Sequence, residues 1–263
     1  MTKSKLQVAI ESQVASGGRA FIPYIMAGDG GLAKLRQQIL FLQDAGATAV
    51  ELGIPFSDPV ADGPSIQEAG KRALAQGVTL RSVLVEIELL RDEVAIPIVL
   101  MTYLNPVYRY GIEQFAKDCA NVGVSGVIVP DLPLEESAIL HSDLKKNDIA
   151  LIQLVSLTSP IERIERIAKA SEGFLYAVTV TGITGARSEF TANIGTHLAK
   201  LKEVSSVPVM AGFGISTPDQ VREMGKLADG VIVGSRIVDA LYTDDYEIMK
   251  DLIGASKTVD TVN

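Results

Sequence analysis

The stretch at residues 51–67, ELGIPFSDPVADGPSIQ, holds the side chains best suited to chemistry. It begins inside a short apolar run, AVELGI, where a carboxylate has no packing role. Strand side chains alternate between faces, so Ala49, Glu51 and Gly53 share one face while Val50, Leu52 and Ile54 share the other. A glutamate flanked by two small residues sits beside space kept open for something. Burying an unpaired charge is costly enough that function explains Glu51 better than packing does. Beyond the strand, Pro55 and Pro59 lead into a loop that presents Asp58 and Asp62. Gly63-Pro64 closes the loop, with the proline suited to a first helical turn. A strand-borne carboxylate followed by a loop-borne one reads as an acid/base pair in two environments. Asp58 taken alone reads as turn chemistry.

The elements that must position this pair follow from periodicity. Apolar, β-branched runs occur at 21–28, 49–54, 97–106, 126–133, 150–156, 174–182, 208–216 and 230–235. Helical patterns lie between them, at about 32–45, 65–75, 80–91, 112–121, 160–170, 189–203 and 220–226. Strands alternating with helices imply a parallel sheet. Eight such units in 263 residues imply closure into a (β/α)8 barrel, with residues 1–263 as one domain and an extra amphipathic helix at the N-terminus. An open doubly wound sheet would put its glycine-rich loop after the first strand, whereas here the glycine-rich turns come late.

In such a barrel the site is built from the loops that follow the strands. Asp29 after the first run reads as a helix N-cap. The exits from runs six, seven and eight are rich in glycine, and those after seven and eight lead into helices. Backbone N–H groups converging there predict a phosphate site. Tyr24, Met101, Tyr103, Ile128, Tyr176 and Phe213 stand at strand positions where each can line an apolar pocket or simply fill core.

Several chemistries lack their residues. No strand exit carries the lysine a Schiff base needs. The two histidines, His141 and His197, fall in helical segments, away from any metal-ligand cluster. There is neither a Ser-His pair in the exits nor a dinucleotide fingerprint. The formal charge of −8 argues against nucleic acid or an anionic membrane as partner. The single cysteine, Cys119, rules out an internal disulfide, suits a reducing compartment and reads as buried filler. With no run of membrane-spanning length and no signal-peptide pattern, a cytoplasmic location is expected. What remains is a phosphate-bearing substrate handled by carboxylates.

The segments FIPYIMAGD, ELGIPFSDPVADGPSIQ, YLNPV, GVIVPDLP, VTGITGAR, GFGIS and IVGS, in this order and spacing, resemble the tryptophan synthase alpha chain family across about residues 21–235. The resemblance implies a TIM barrel and the cleavage of indole-3-glycerol phosphate to indole and glyceraldehyde 3-phosphate. It places the catalytic carboxylates at Glu51 and Asp62 and the phosphate ligands at Gly185, Gly214, Gly234 and Ser235. It places at Thr184 a loop threonine that meets the aspartate on closure. It implies no cofactor in this chain, and a pyridoxal-phosphate-bearing beta chain as partner in an alpha2-beta2 heterotetramer. Two departures stand out: Gly30 where the family often has proline, and Val180 where some members carry arginine. A stand-alone indole-glycerol-phosphate lyase, or a non-catalytic phosphate-sensing activator subunit, would share much of this pattern.

Overall fold

The computed structural model describes residues 3–156, 158–178, 187–212 and 214–257, with backbone alone for 187–193. From the N-terminus run α1 (Lys5–Ala15), β1 (Ala20–Met26), α2 (Leu35–Ala45), β2 (Val50–Gly53), α3 (Pro64–Ala75), α4 (Leu80–Leu90), β3 (Ile98–Met101), α5 (Leu104–Tyr110), α6 (Ile112–Val122) and β4 (Val124–Ile128). The chain continues through α7 (Ala138–Lys146), β5 (Ala150–Ser156), α8 (Ile161–Ala170), β6 (Leu175–Val178), α9 (Arg187–Val204), β7 (Val209–Gly212), α10 (Pro218–Leu227), β8 (Gly230–Val233), α11 (Ser235–Tyr242) and α12 (Tyr246–Lys257). The eight strands pair in sequence order, all parallel, and β8 returns to β1 to close the barrel.

Strand alternation divides the core in two. One set of strand side chains faces the helices and merges with their apolar stripes. The other fills the barrel interior with Ala20, Ile22, Ala49, Val99, Ile128, Ile152, Phe174, Met210 and Ile232. Ile128 therefore belongs to this interior plug rather than to a pocket wall. Leu6 and Ile10 of α1 join the same cluster, so the N-terminal helix stoppers the barrel at the end opposite the strand exits. Gly126 and Gly173 leave room for it: a Cβ on either would lie 3.3 and 3.0 Å from Leu6 Cδ2.

β5 fills its run, whereas β1, β2, β3, β4, β7 and β8 end before theirs do, because those runs continue past the last ladder hydrogen bond into the loop. The third run changes state altogether, and YLNP opens α5. Pro106 falls in that helix's first turn, where its missing N–H costs nothing. The N–H of Leu104 donates to Asp131 Oδ1 at 3.0 Å, so the loop after β4 caps a helix after β3. Asp29 is not an N-cap. The turn beginning at Leu32 has Gly31 at its cap position, and Asp29 instead takes both Arg72 donors at 2.7 Å. Cys119 is buried in α6, and desolvation holds its thiol well above the usual range, as expected of inert filler.

Candidate active site

Glu51 lies on the inner face of β2, beside Tyr24 of β1 and Val99 of β3 in register. It is 1% exposed, and its Oε2 has no hydrogen-bond partner. The space beside it is not empty. A Cβ on Gly53 would fall within the Tyr24 ring, so this glycine exists to admit the phenol. Gly212 serves Tyr176 the same way on the other side of the barrel, where a Cβ would sit 2.8 Å from the phenol oxygen. Two glycines on opposing strands thus make room for two buried tyrosines whose rings flank the interior carboxylate. Both phenols are held well above their ordinary pKa, mainly by desolvation and in part by the charge of Glu51. They remain neutral, and the surroundings of Glu51 are apolar or weakly polar.

Asp62 reaches the site from the loop after β2. That loop is fixed by its own bonds: the Asp62 N–H donates to Pro59 O at 3.1 Å, and Gln67 Nε2 donates to the Asp62 carbonyl at 2.9 Å. Gly63 and Pro64 then start α3. Tyr103, buried at the head of α5, accepts the Ala61 N–H on its hydroxyl at 2.9 Å, and that hydroxyl stands near enough to the Asp62 carboxylate to favour its charged form. Phe56 stacks on the Tyr103 ring with centroids 5.3 Å apart. Neither contact is visible in the sequence, although the phenylalanine in PFSDP was the available signal. Asp58 is exposed and accepts from Ser57, in keeping with turn chemistry.

The two carboxyls differ as a working pair must. Burial, reinforced by the Asp62 charge, raises Glu51 from 4.5 to about 8. Burial raises Asp62 from 3.8 to about 6, opposed by the Tyr103 hydrogen bond. Asp62 is thus less solvated than a loop aspartate should be, and its Oδ1 is buried without a partner. It ionises first, and its charge then helps keep the proton on Glu51. Near neutral pH the site holds one acid and one base.

At the exits of β7 and β8 the backbone is arranged for an anion. Gly214 has φ +64°, in the left-handed region. The α10 N-terminus is already satisfied, because Thr217 and Gln220 form a reciprocal capping box. The α11 N-terminus is not: Gly234 is its cap residue, and no side chain bonds the first-turn N–H groups. Such an end offers unpaired donors and a favourable dipole to an anion. Ser65 Oγ donates to Asp239 Oδ2 at 3.3 Å, tying α11 to the helix that follows the Asp62 loop. Met101 is half-buried at the end of β3, next to Gly53. Thr184, Gly185 and Phe213 lie outside the described residues, as does Val180. His141 Nε2 lies 3.2 Å from Glu172 Oε1, far from this end of the barrel in chain topology.

A parallel (β/α)8 barrel with an interior glutamate, a loop aspartate and an uncapped helix end at its last strand has the layout expected of a carboxylate acid/base enzyme for a phosphorylated substrate. Comparison with known proteins gives the family. Residues 10–260 match the model of the tryptophan synthase alpha chain family. The chain is 53% identical to the tryptophan synthase alpha chain of Oceanobacillus iheyensis over 97% of its length and 98% of the relative's. It is 54% identical to that of Bacillus cereus, covering 98% of both. The crystal structure of the alpha chain from Legionella pneumophila superposes with a TM-score of 0.88 at 31% identity, covering 99% of this chain and 100% of that one. A tryptophan synthase structure from Mycobacterium tuberculosis gives 0.89 at 33%, covering 98% and 100%. The chain belongs to the tryptophan synthase alpha chain family, lyases that cleave indole-3-glycerol phosphate in tryptophan biosynthesis.

Proposed function

We propose that this chain, working as one barrel domain, cleaves indole-3-glycerol phosphate with Glu51 and Asp62 as its catalytic residues. The observation that carries the assignment is the pair of buried, unpartnered carboxylate oxygens, Glu51 Oε2 and Asp62 Oδ1, in a site that holds one acid and one base. Protonated Glu51 delivers its proton to C3 of the indole ring while ionised Asp62 accepts a hydrogen bond from the ring N–H. The ring becomes an electron sink. The bond from C3 to the glycerol carbon breaks, and its electron pair restores the aromatic ring. The hydroxyl on that carbon loses its proton to Glu51, now a base, as the aldehyde forms. Atoms balance with no added oxidant or reductant.

The substrate phosphate is received by the open first turn at Gly234 and Ser235 with Gly214, and by Gly185 on the strength of the family resemblance. The indole ring lies among Tyr24, Met101, Tyr103, Tyr176 and Phe213, and Thr184 meets Asp62 on closure. The chain needs no cofactor of its own. Its partner is the pyridoxal-phosphate-bearing beta chain, in an alpha2-beta2 heterotetramer, and its place of work is the cytoplasm. Among the described residues no helix is long and apolar enough to cross a membrane. The test is indole release from indole-3-glycerol phosphate, measured with and without a beta chain. Indole from the chain alone, accelerated by the partner, is the expected result; no indole in either case would leave only a non-catalytic subunit.

A further inference from the structure

A second cavity, of about 120 Å³, lies outside the barrel, between the loop after β1, the inner face of α2 and the last turns of α11. Met26, Val238 and Leu241 form its apolar part. Met26 points away from the barrel interior: its Cε is the atom nearest to a Cβ placed on Gly70 of α3. The cavity is thus separate from the space around Glu51.

Its polar wall has an unusual member. Gln38, on α2, is only 8% exposed, yet no described residue hydrogen-bonds its amide. The amide is not sealed in the core but opens onto the cavity, where a ligand or ordered water can partner it. Beside it stands Lys34, whose ammonium forms no ion pair among the described residues. The cavity's one carboxylate, Asp29, is committed at both oxygens to Arg72. Arg72 in turn lies over the Tyr242 ring, 4.1 Å from its centroid. The local balance is therefore one cation in excess, with amide N–H donors below it and an aliphatic floor.

We infer that this cavity is a binding site for a short-chain monocarboxylate, with the carboxylate held by Lys34 and the Gln38 amide and the aliphatic chain against Val238 and Leu241. A cavity of 150 Å³ is known to take benzene, so this one suits a ligand of about five or six non-hydrogen atoms. A neutral alcohol of equal length would leave the lysine unmatched, and an amine would be repelled by it. The ligand would also touch the helix whose first turn carries Gly234 and Ser235, although the binding claim does not depend on the role of those residues.

The test uses the full chain, isotopically labelled, titrated with butyrate while the Gln38 side-chain amide and the Tyr242 backbone amide are followed by NMR. The expected result is a saturable shift at both, with butan-1-ol and butylamine at least about tenfold weaker, as loss of a charge-assisted hydrogen bond requires. Lys34→Gln, at an exposed position, should weaken butyrate about tenfold with an otherwise unchanged spectrum. Gln38→Leu, close in volume, should keep the fold and remove saturation at Tyr242. Absence of a saturable shift, equal binding of butan-1-ol, or unchanged affinity in both variants would overturn the inference.

Discussion

Glu51 and Asp62 carry the same functional group, and their surroundings set them apart: deeper burial and the Asp62 charge raise Glu51, while the Tyr103 hydroxyl opposes the rise at Asp62. Each has a higher pKa in the folded chain than its ordinary value, to about 8 and about 6. The native state therefore holds extra protons from about pH 4 to about pH 8, and stability falls as pH rises through that window. Glu51→Gln removes the larger part of this effect. The variant should be more stable than the parent above pH 8, on the order of a few kcal/mol, with the advantage vanishing below about pH 4.5. Urea unfolding at pH 5 and pH 9 measures it, and a parent that gained stability on going alkaline relative to the variant would have the opposite sign. Under the proposed mechanism the same pair also sets the rate. Catalysis needs Asp62 ionised and Glu51 protonated, so kcat/KM for the chain should be bell-shaped, with limbs near pH 6 and pH 8. A plateau running unchanged past pH 9 would remove Glu51 as the acid.

At the scale of elements, the phosphate reading turns on the first turn of α11. A Cβ on Gly234 would meet only Ile66 at 3.5 Å and Tyr24 Cβ at 3.8 Å, ordinary contacts, and its φ of −100° suits any residue. Gly234→Ala should therefore fold normally yet weaken a glycerol-phosphate analogue by about tenfold or more, because the methyl blocks backbone approach. Gly214→Ala, at φ +64°, should cost about 1 kcal/mol of stability whatever it does to binding. Thermal unfolding alongside calorimetry separates the two, and undiminished binding by folded Gly234→Ala would remove this helix end from the phosphate site. The order of elements and the inward face of Glu51 were legible in the sequence because both follow from short-range periodicity. What lay beyond reach depended on distant neighbours. Gly53 reads as a small residue beside open space until β1 is laid against β2 and the Tyr24 ring is found there. Asp29 reads as a cap until α3 brings Arg72, 43 residues on, against it. The YLNP segment reads as a strand exit because proline in a first helical turn looks locally like a stop.

For the whole molecule, the loops after β2, β3 and β4 form one connected surface. Tyr103 holds the Ala61 N–H beside Asp62, Phe56 stacks on Tyr103, and Asp131 caps α5. Val60 on the loop after β2 and Tyr108 on α5 stand exposed beside it, as docking residues would. We expect a beta chain that grips this surface to favour the closed site through the segment that positions Asp62; if it does, whatever favours the closed site must by reciprocity favour the partner. Calorimetric titration of the two chains should therefore give tighter binding with a glycerol-phosphate analogue present, and equal affinities would sink the coupling. Above all, cleavage should depend on the proton held by Glu51. This dependence is tested most directly by Glu51→Gln, with indole release and analogue binding measured on the same preparation. Turnover should fall by roughly a thousandfold, within the usual range for loss of a general acid and base, with binding nearly unchanged. A folded variant that binds the analogue and keeps most of its turnover would contradict it.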